Sequence, residues 1–384
     1  MTVIPLFVAL LAVLLSAPAK AGEPPQEAGW QQHVMPALDG INVLAMASNH
    51  ERSTIALLDG GSSTENTDER KLTLVAFDPA GKQTRSIDLD SPMREAAPFY
   101  LALRAGLAID GNDIAYVAVA GRDNVVVLAR VDLRGVGAPL IKVIKVGGSY
   151  GGVSTLRYTR QGRLMLAGKL DRHGYVAAVS PQGNLDWIKS YDKVATVFDL
   201  VERDRDFVLT GCTPGSMVCE DIWLARVDDA GDVLESQLRQ GPARYAYLAE
   251  DGRQLALSFE RLGPDLESGT ALVEVFPGRT SLQESTSHIL YKGRLAAPFS
   301  LSGGFGGFTA AGVAERGELL IFEVDASGRL AMLFKGRTEA PYYVNFNSVD
   351  VVRGGDVNYI GAKRTHVEGR RIESRLVFAR IPAR

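Results

Sequence analysis

The chain has 384 residues, 46% of them hydrophobic, with 42 Lys and Arg against 45 Asp and Glu and a formal net charge of −3. The signs are interspersed, so no basic stripe exists to hold nucleic acid or an anionic membrane surface. Forty glycines against 8% aromatics suit many tight turns, and no long segment carries helical periodicity.

Residues 6–15 are a short apolar run, followed by Ala19-Lys20-Ala21, a small-x-small cleavage pattern. This reads as a secretory signal peptide over residues 1–21, too short for a permanent span. Residues 22–384 are then expected as one exported domain, periplasmic or secreted, with no membrane span once the signal is removed.

From there a single pattern recurs. Ile222-Trp223-Leu224-Ala225-Arg226-Val227 is an apolar strand, Asp228-Asp229-Ala230-Gly231 a turn, and Asp232-Val233-Leu234 opens a second strand. Gly accepts the positive φ of a hairpin, and Asp bonds nearby backbone amides. Versions end in Asp78-Pro79-Ala80-Gly81, Asp132-Leu133-Arg134-Gly135, Ser180-Pro181-Gln182-Gly183 and Asp325-Ala326-Ser327-Gly328. A degraded copy ends in Phe276-Pro277-Gly278, and a truncated one is Leu376-Val377-Phe378-Ala379-Arg380-Ile381. Successive copies lie about 50 residues apart, the period of β-propeller blades. Each copy extends upstream into two more strands, and seven first turns with seven third strands predict seven blades.

The last unit stops after its third strand, while Trp30-Gln31-Gln32-His33-Val34 precedes the first complete unit and is similar to the outer-strand segment Asp186-Trp187-Ile188-Lys189-Ser190. The expectation is therefore an all-β, seven-bladed β-propeller whose last blade is completed by the N-terminal strand, because an opened ring would expose two apolar sheet faces.

The Asp/Ser-x-x-Gly hairpins, best in Pro181-Gln182-Gly183-Asn184-Leu185-Asp186-Trp187, give the chain a resemblance to secreted bacterial seven-bladed propellers with quinoprotein-like blades. Such blades lean on a Trp in each repeat. This chain has three Trp in all, so the resemblance implies the fold and no quinone cofactor.

Cys212 and Cys219 flank Pro214-Gly215, and outside the cytoplasm so close a pair is expected as a disulfide pinning one loop. Four second-to-third-strand loops are long: 60–70, 212–220, 260–269 and 363–373. His173 and His366 both fall in second-to-third-strand loops, His366 in one of these four. The blade-to-blade connectors carry aromatic residues after a Pro or Gly: Phe99 and Tyr100, Tyr150, Tyr245, Phe299, and Tyr342 with Tyr343. These rings either form a collar around the channel mouth, suited to a peptide, a glycan or an apolar loop, or pack between blades. Asp199, Asn345 and Asn347 occupy inner-strand positions where a propeller enzyme would place metal ligands. Asp110/Asp113 and Asp204/Asp206 read as solvated turn carboxylates on the opposite face. Gly147-Gly148-Ser149-Tyr150-Gly151 lacks the helix that a nucleophile elbow requires.

No catalytic set, cofactor motif or metal-ligand spacing emerges. The reading is a monomeric exported binding protein that holds a protein partner of the cell envelope through its loop-rich face. The alternative is a periplasmic, lactonase- or lyase-like propeller enzyme with a small site at the channel mouth.

Overall fold

The computed structural model describes residues 31–34, 38–39, 42–48, 54–60, 71–78, 81–99, 105–135, 137–148, 151–215, 218–266, 268–278, 281–304, 306–315, 318–337, 348–351, 357–367 and 371–381. The segments β1 (Gln31–Val34) and β2 (Leu38–Asp39) precede the first complete sheet. That sheet is β3 (Asn42–Ser48), β4 (Thr54–Gly60), β5 (Lys71–Phe77) and β6 (Gln83–Asp88). A short helix, α1 (Asp90–Ala96), leads to β7 (Gly106–Ile109), β8 (Ile114–Ala120), β9 (Val125–Asp132) and β10 (Leu140–Lys145). The third sheet is β11 (Gly151–Tyr158), β12 (Leu164–Leu170), β13 (His173–Val179) and β14 (Leu185–Tyr191).

Next come β15 (Thr196–Arg203), β16 (Asp206–Cys212), β17 (Cys219–Val227), β18 (Val233–Glu250), β19 (Leu255–Leu262), β20 (Gly269–Phe276) and β21 (Thr286–Lys292), all in one seven-stranded sheet. Then follow β22 (Leu295–Gly304), β23 (Gly307–Ala314), β24 (Glu318–Asp325) and β25 (Leu330–Arg337). The chain ends in β26 (Ser348–Val351), β27 (Val357–Val367) and β28 (Arg371–Ile381). Among the described residues every strand pairing is antiparallel, and the innermost strands touch in the order β3, β7, β11, β15, β18, β22, β26 and back to β3.

Two joins organise this all-β, propeller-like arrangement. Gln31 to Val34 of β1 pair with Arg380 to Val377 of β28, so an early strand lies on the edge of the last sheet. The eighteen-residue β18 pairs with β17 along its first part and with β19 along its second, joining two antiparallel sets in one sheet. The blade-to-blade connector expected at Tyr245 is thus inside a strand. Pro242 is exposed and has no amide to lose, and the Gly241 amide donates instead to Asp221 Oδ1 at 2.8 Å.

Middle strands such as β8 (IAYVAVA) are buried on both faces, and outer strands such as β6 alternate exposed with half-buried residues. Core clusters form where neighbouring sheets meet: Leu57 and Leu74 with Val117 and Val127, Leu128 with Leu166 and Tyr175, Met165 with Leu209 and Trp223, and Val273 with Phe308 and Phe322. The recurring hairpins serve the same seams. Asp228 Oδ1 accepts the amides of Ala230 and Asp232, Asp325 Oδ1 those of Ser327 and Arg329, and Ser180 Oγ that of Asn184. At Gly231 (φ 82°) a Cβ would lie 2.9 Å from Trp187 Cζ3, and at Gly183 (φ 83°) one would lie 2.7 Å from Lys142 Cβ. At these two turns the glycine therefore both takes the left-handed backbone and lets the hairpin rest on the outer strand of the sheet before it, whereas Gly328 (φ 79°) has nothing within 4 Å.

The helix α1 was not legible in the periodicity. Asp88 Oδ1 accepts the Asp90 amide, Arg94 pairs with Asp90 one turn earlier at 2.9 Å, and Met93 is fully buried. Pro98 follows its end.

Candidate functional site

Cys212 and Cys219 form a disulfide with a Cα–Cα distance of 5.1 Å. It ties the end of β16 to the start of β17, and Cys219 in turn faces Ala243 of β18. Beyond Ala243 the strand bulges between Arg244 and Ala246, and the bulge residue Tyr245 has φ 54°. A bulge re-aims a side chain, and an aromatic residue in left-handed backbone is an outlier that its surroundings must hold in place.

Seven described residues other than glycine have positive φ. Five are Asp or Asn in turns, and the other two are Tyr245 and Leu266. Both belong to the β18–β20 set at the same end of the sheet, since Leu266 sits in the 263–268 loop between β19 and β20. That loop is knit by Leu266 N–H to Gly263 O at 3.0 Å, Gly263 N–H to Ser268 O at 2.8 Å, and the Ser268 hydroxyl to Asp265. Leu266 is 39% exposed at its tip.

Beneath them, a hollow no larger than a water molecule, between this set and β22, is lined by Tyr245, Ser258, Glu260, Leu295, Pro298 and Phe299. Glu260 is buried, with 1% of its side chain exposed, and takes Arg244 Nε at 2.6 Å and Nη2 at 3.3 Å. The hydrogen bond to Glu260 raises the Arg244 guanidinium above its ordinary value, against the burial that lowers it. Arg244 also stands 5.7 Å from the Tyr245 ring centroid. The Ser258 hydroxyl donates to Phe299 O at 2.6 Å.

The aromatic connectors divide. Phe99 (4% exposed) and Phe299 (3%) are buried in seams and do not line a collar. Phe99 lies under Arg94, 4.6 Å from its centroid, in the cluster around Leu57 and Val117. Phe299 packs 5.7 Å from Phe322. Tyr245 is half-buried and lines the hollow with Phe299 as its floor. Tyr100, Tyr150, Tyr342 and Tyr343 lie outside the described residues, as do Asn345, Asn347 and the 61–70 loop.

The two histidines are not loop residues. His173 opens β13 opposite Leu170, after a two-residue turn, and its Nδ1 is 3.8 Å from Asp192 Oδ1. His366 lies within β27 opposite Ile372, so the expected 363–373 loop is largely hairpin.

Asp199 lies on the inner strand β15, as expected, but its side chain is buried and its carboxylate fully engaged. Oδ1 accepts from the Thr155 hydroxyl (3.3 Å), Arg157 Nη2 (2.9 Å) and the Leu200 amide (2.9 Å), and Oδ2 from Arg157 Nη2 and the Leu248 amide, both at 3.0 Å. It thus links β11, β15 and β18. Nearer the other mouth, Arg160 meets Glu202 through its amide and Glu250 through Nη2. The turn carboxylate Asp110 is 5% exposed, not solvated, because it accepts the amides of Asn112 and Ile114. Among the described residues, no three His, Cys, Asp or Glu gather as a metal ion would require.

Arg244, Glu260 and Leu266 were missed. The available signal was Glu260 itself: an acid in the buried strand Leu255–Leu262 requires a cation on a neighbouring strand.

No protein-family model and no curated protein matches this chain. Solved structures do. The BP39L lectin from Burkholderia pseudomallei is 11% identical with a TM-score of 0.59, over 85% of this chain and 93% of that one. The Pan2 WD40 domain of Neurospora crassa is 10% identical with a TM-score of 0.53, over 89% and 90%. An acylaminoacyl peptidase is 12% identical with a TM-score of 0.51, over 88% of this chain and 51% of that one. Likeness at such identity fixes the fold alone: the chain is a β-propeller.

Proposed function

We propose that this chain is an exported, seven-bladed β-propeller that holds a protein partner on its loop-bearing face. The blade count treats the seven-stranded sheet as two blades sharing β18 and takes β1 as the strand that completes the last blade. The apolar run at residues 6–15, the cleavage pattern after it and the Cys212–Cys219 disulfide support export.

The observation that carries the binding reading is the pair Tyr245 and Leu266. They are the two described left-handed residues that turn chemistry does not explain, and both stand at the loop-bearing end of one blade. Tyr, Arg and a pre-shaped apolar tip are the materials of a binding hot spot, and preset geometry lowers the ordering cost of association. The test places a photo-crosslinking amino acid at Leu266 or, on the opposite face, at exposed Asn112, in cells making the full-length protein. The expected result is discrete protein adducts from position 266 and none from 112. Adducts from neither position, or equally from both, overturn the assignment.

A further inference from the structure

Over residues 233–240 the strand β18 is paired along one edge, with β17, and among the described residues no strand lies along the other. From Leu234 onward its two faces alternate strictly. Glu235, Gln237 and Arg239 are half-buried and engaged. Arg239 Nε donates to Glu274 Oε2 at 2.5 Å, Arg239 Nη1 to Gln237 Oε1 at 2.8 Å, and Glu235 Oε1 accepts the Leu282 amide at 3.2 Å. The opposite face carries Leu234 (49% exposed), Ser236, Leu238 (48% exposed) and Gln240, with Val233 exposed at the start of the strand.

An open edge is ordinarily guarded by charge, because a Lys or Asp beside an incoming strand has to be desolvated. The other outer strands whose side chains are described each expose one: Asp88 on β6, Lys142 on β10, Lys189 on β14, Lys292 on β21 and Lys335 on β25. Between Val233 and Gln240 β18 exposes none.

The unguarded edge is also complementary to itself. In an antiparallel pair centred on Ser236, Leu234 of one copy faces Leu238 of the other, Asp232 faces Gln240, and on the second face Glu235 faces Gln237. No like charges meet, and two leucine pairs cover apolar surface that each copy alone leaves in water. A closed two-fold contact requires just such a match of one patch with itself, which favours a second copy over an unrelated strand.

We infer that β18 is a homodimerisation edge, at which two copies of this chain join antiparallel through residues 233–240 about a two-fold axis at Ser236. The monomer expected from the sequence thereby becomes a dimer. Its two loop-bearing faces point in opposite directions, since the pairing reverses β18. So short an edge makes a small interface, and the expected Kd is on the order of 10 µM.

Sedimentation velocity on the full mature chain, from about 1 to 100 µM, should show reversible monomer–dimer exchange. L238K sets a charge in the seam at an exposed position, so circular dichroism should report an intact fold while the Kd rises at least tenfold. V143K, at an exposed position of β10, should leave the Kd unchanged. S236C brings two thiols together on the axis, and mild oxidation should give covalent dimers where M332C, on the exposed outer strand β25, gives none. A wild-type chain that stays monomeric over that range would overturn the inference and leave the edge to a strand of another protein. A dimer that L238K leaves intact, or equal crosslinking of S236C and M332C, would overturn it as well.

Discussion

Removing the Asp199 carboxylate gives the sharpest test of how the inner wall is held. Its side chain is 2% exposed and accepts the amide of Leu248 across one seam and Arg157 with Thr155 across the other. Leu200 and Leu248 are both buried, so D199A strands two amide donors with no water to replace the lost acceptor. A buried donor left unmade costs about 1–3 kcal/mol. Arg157 is 48% exposed and rehydrates, so its lost pairing adds little. The expected loss for D199A is about 3 kcal/mol. D199N keeps one acceptor oxygen, places an NH2 where the other stood and removes the charge, for a loss of about 2 kcal/mol. R157A leaves the carboxylate on its two amides, for about 1 kcal/mol. Urea unfolding followed by far-UV circular dichroism and by Trp fluorescence measures the series. The reasoning fails if D199A lies within about 0.5 kcal/mol of wild type, or if R157A is the more damaging change.

Three further outcomes follow from other seams. G231A should cost roughly 2–3 kcal/mol, since it meets both the left-handed backbone and the Trp187 ring, whereas G252A (φ 90°, open space) should cost only about 1 kcal/mol; equal losses would remove hairpin docking as the reason for the glycine. Reducing Cys212–Cys219, or replacing both with Ser, should lower stability by about 2.5 kcal/mol, measured by denaturant titration with and without reductant. Burial, with the Asp110 charge second, pushes the Tyr116 hydroxyl up to about 12. The folded state therefore keeps that proton between pH 10 and 12 where the unfolded chain releases it. The stability it contributes is complete below pH 10 and drains away as pH rises toward 12. Y116F should flatten that decline in thermal melts from pH 9 to 12, and an unchanged slope would refute it.

Much of the propeller could be read from the chain because its repeat is local. Asp228, Asp325 and Ser180 cap their own turns within four residues, and the turn glycines need positive φ whatever lies beyond. The pairing of residues 31–34 with the last sheet was also legible, because a three-stranded unit at one end and an orphan strand at the other complete each other. The site was less so. Phe99 and Phe299 share a Pro-aromatic pattern compatible with either a mouth or a seam, and only the neighbouring sheet decides that they are buried. Tyr245 carries no sequence mark of its backbone, since Tyr ordinarily avoids it and the bulge arises from how β18 must pair on both flanks. Arg244 and Glu260 are sixteen residues apart and meet only through the β18–β19 register.

The unbroken run of β18 bears on how the molecule gives under load. The strands β15 to β21 form one hydrogen-bonded sheet, so elastic opening of the ring is expected at the junctions on either side of that arc. Amide exchange across the middle of β18 should accordingly be slower than at the Tyr191–Thr196 or Lys292–Leu295 crossings. Under the proposed function, the Tyr245–Leu266 surface rides on this continuous sheet, and a partner would meet it at a fixed attitude.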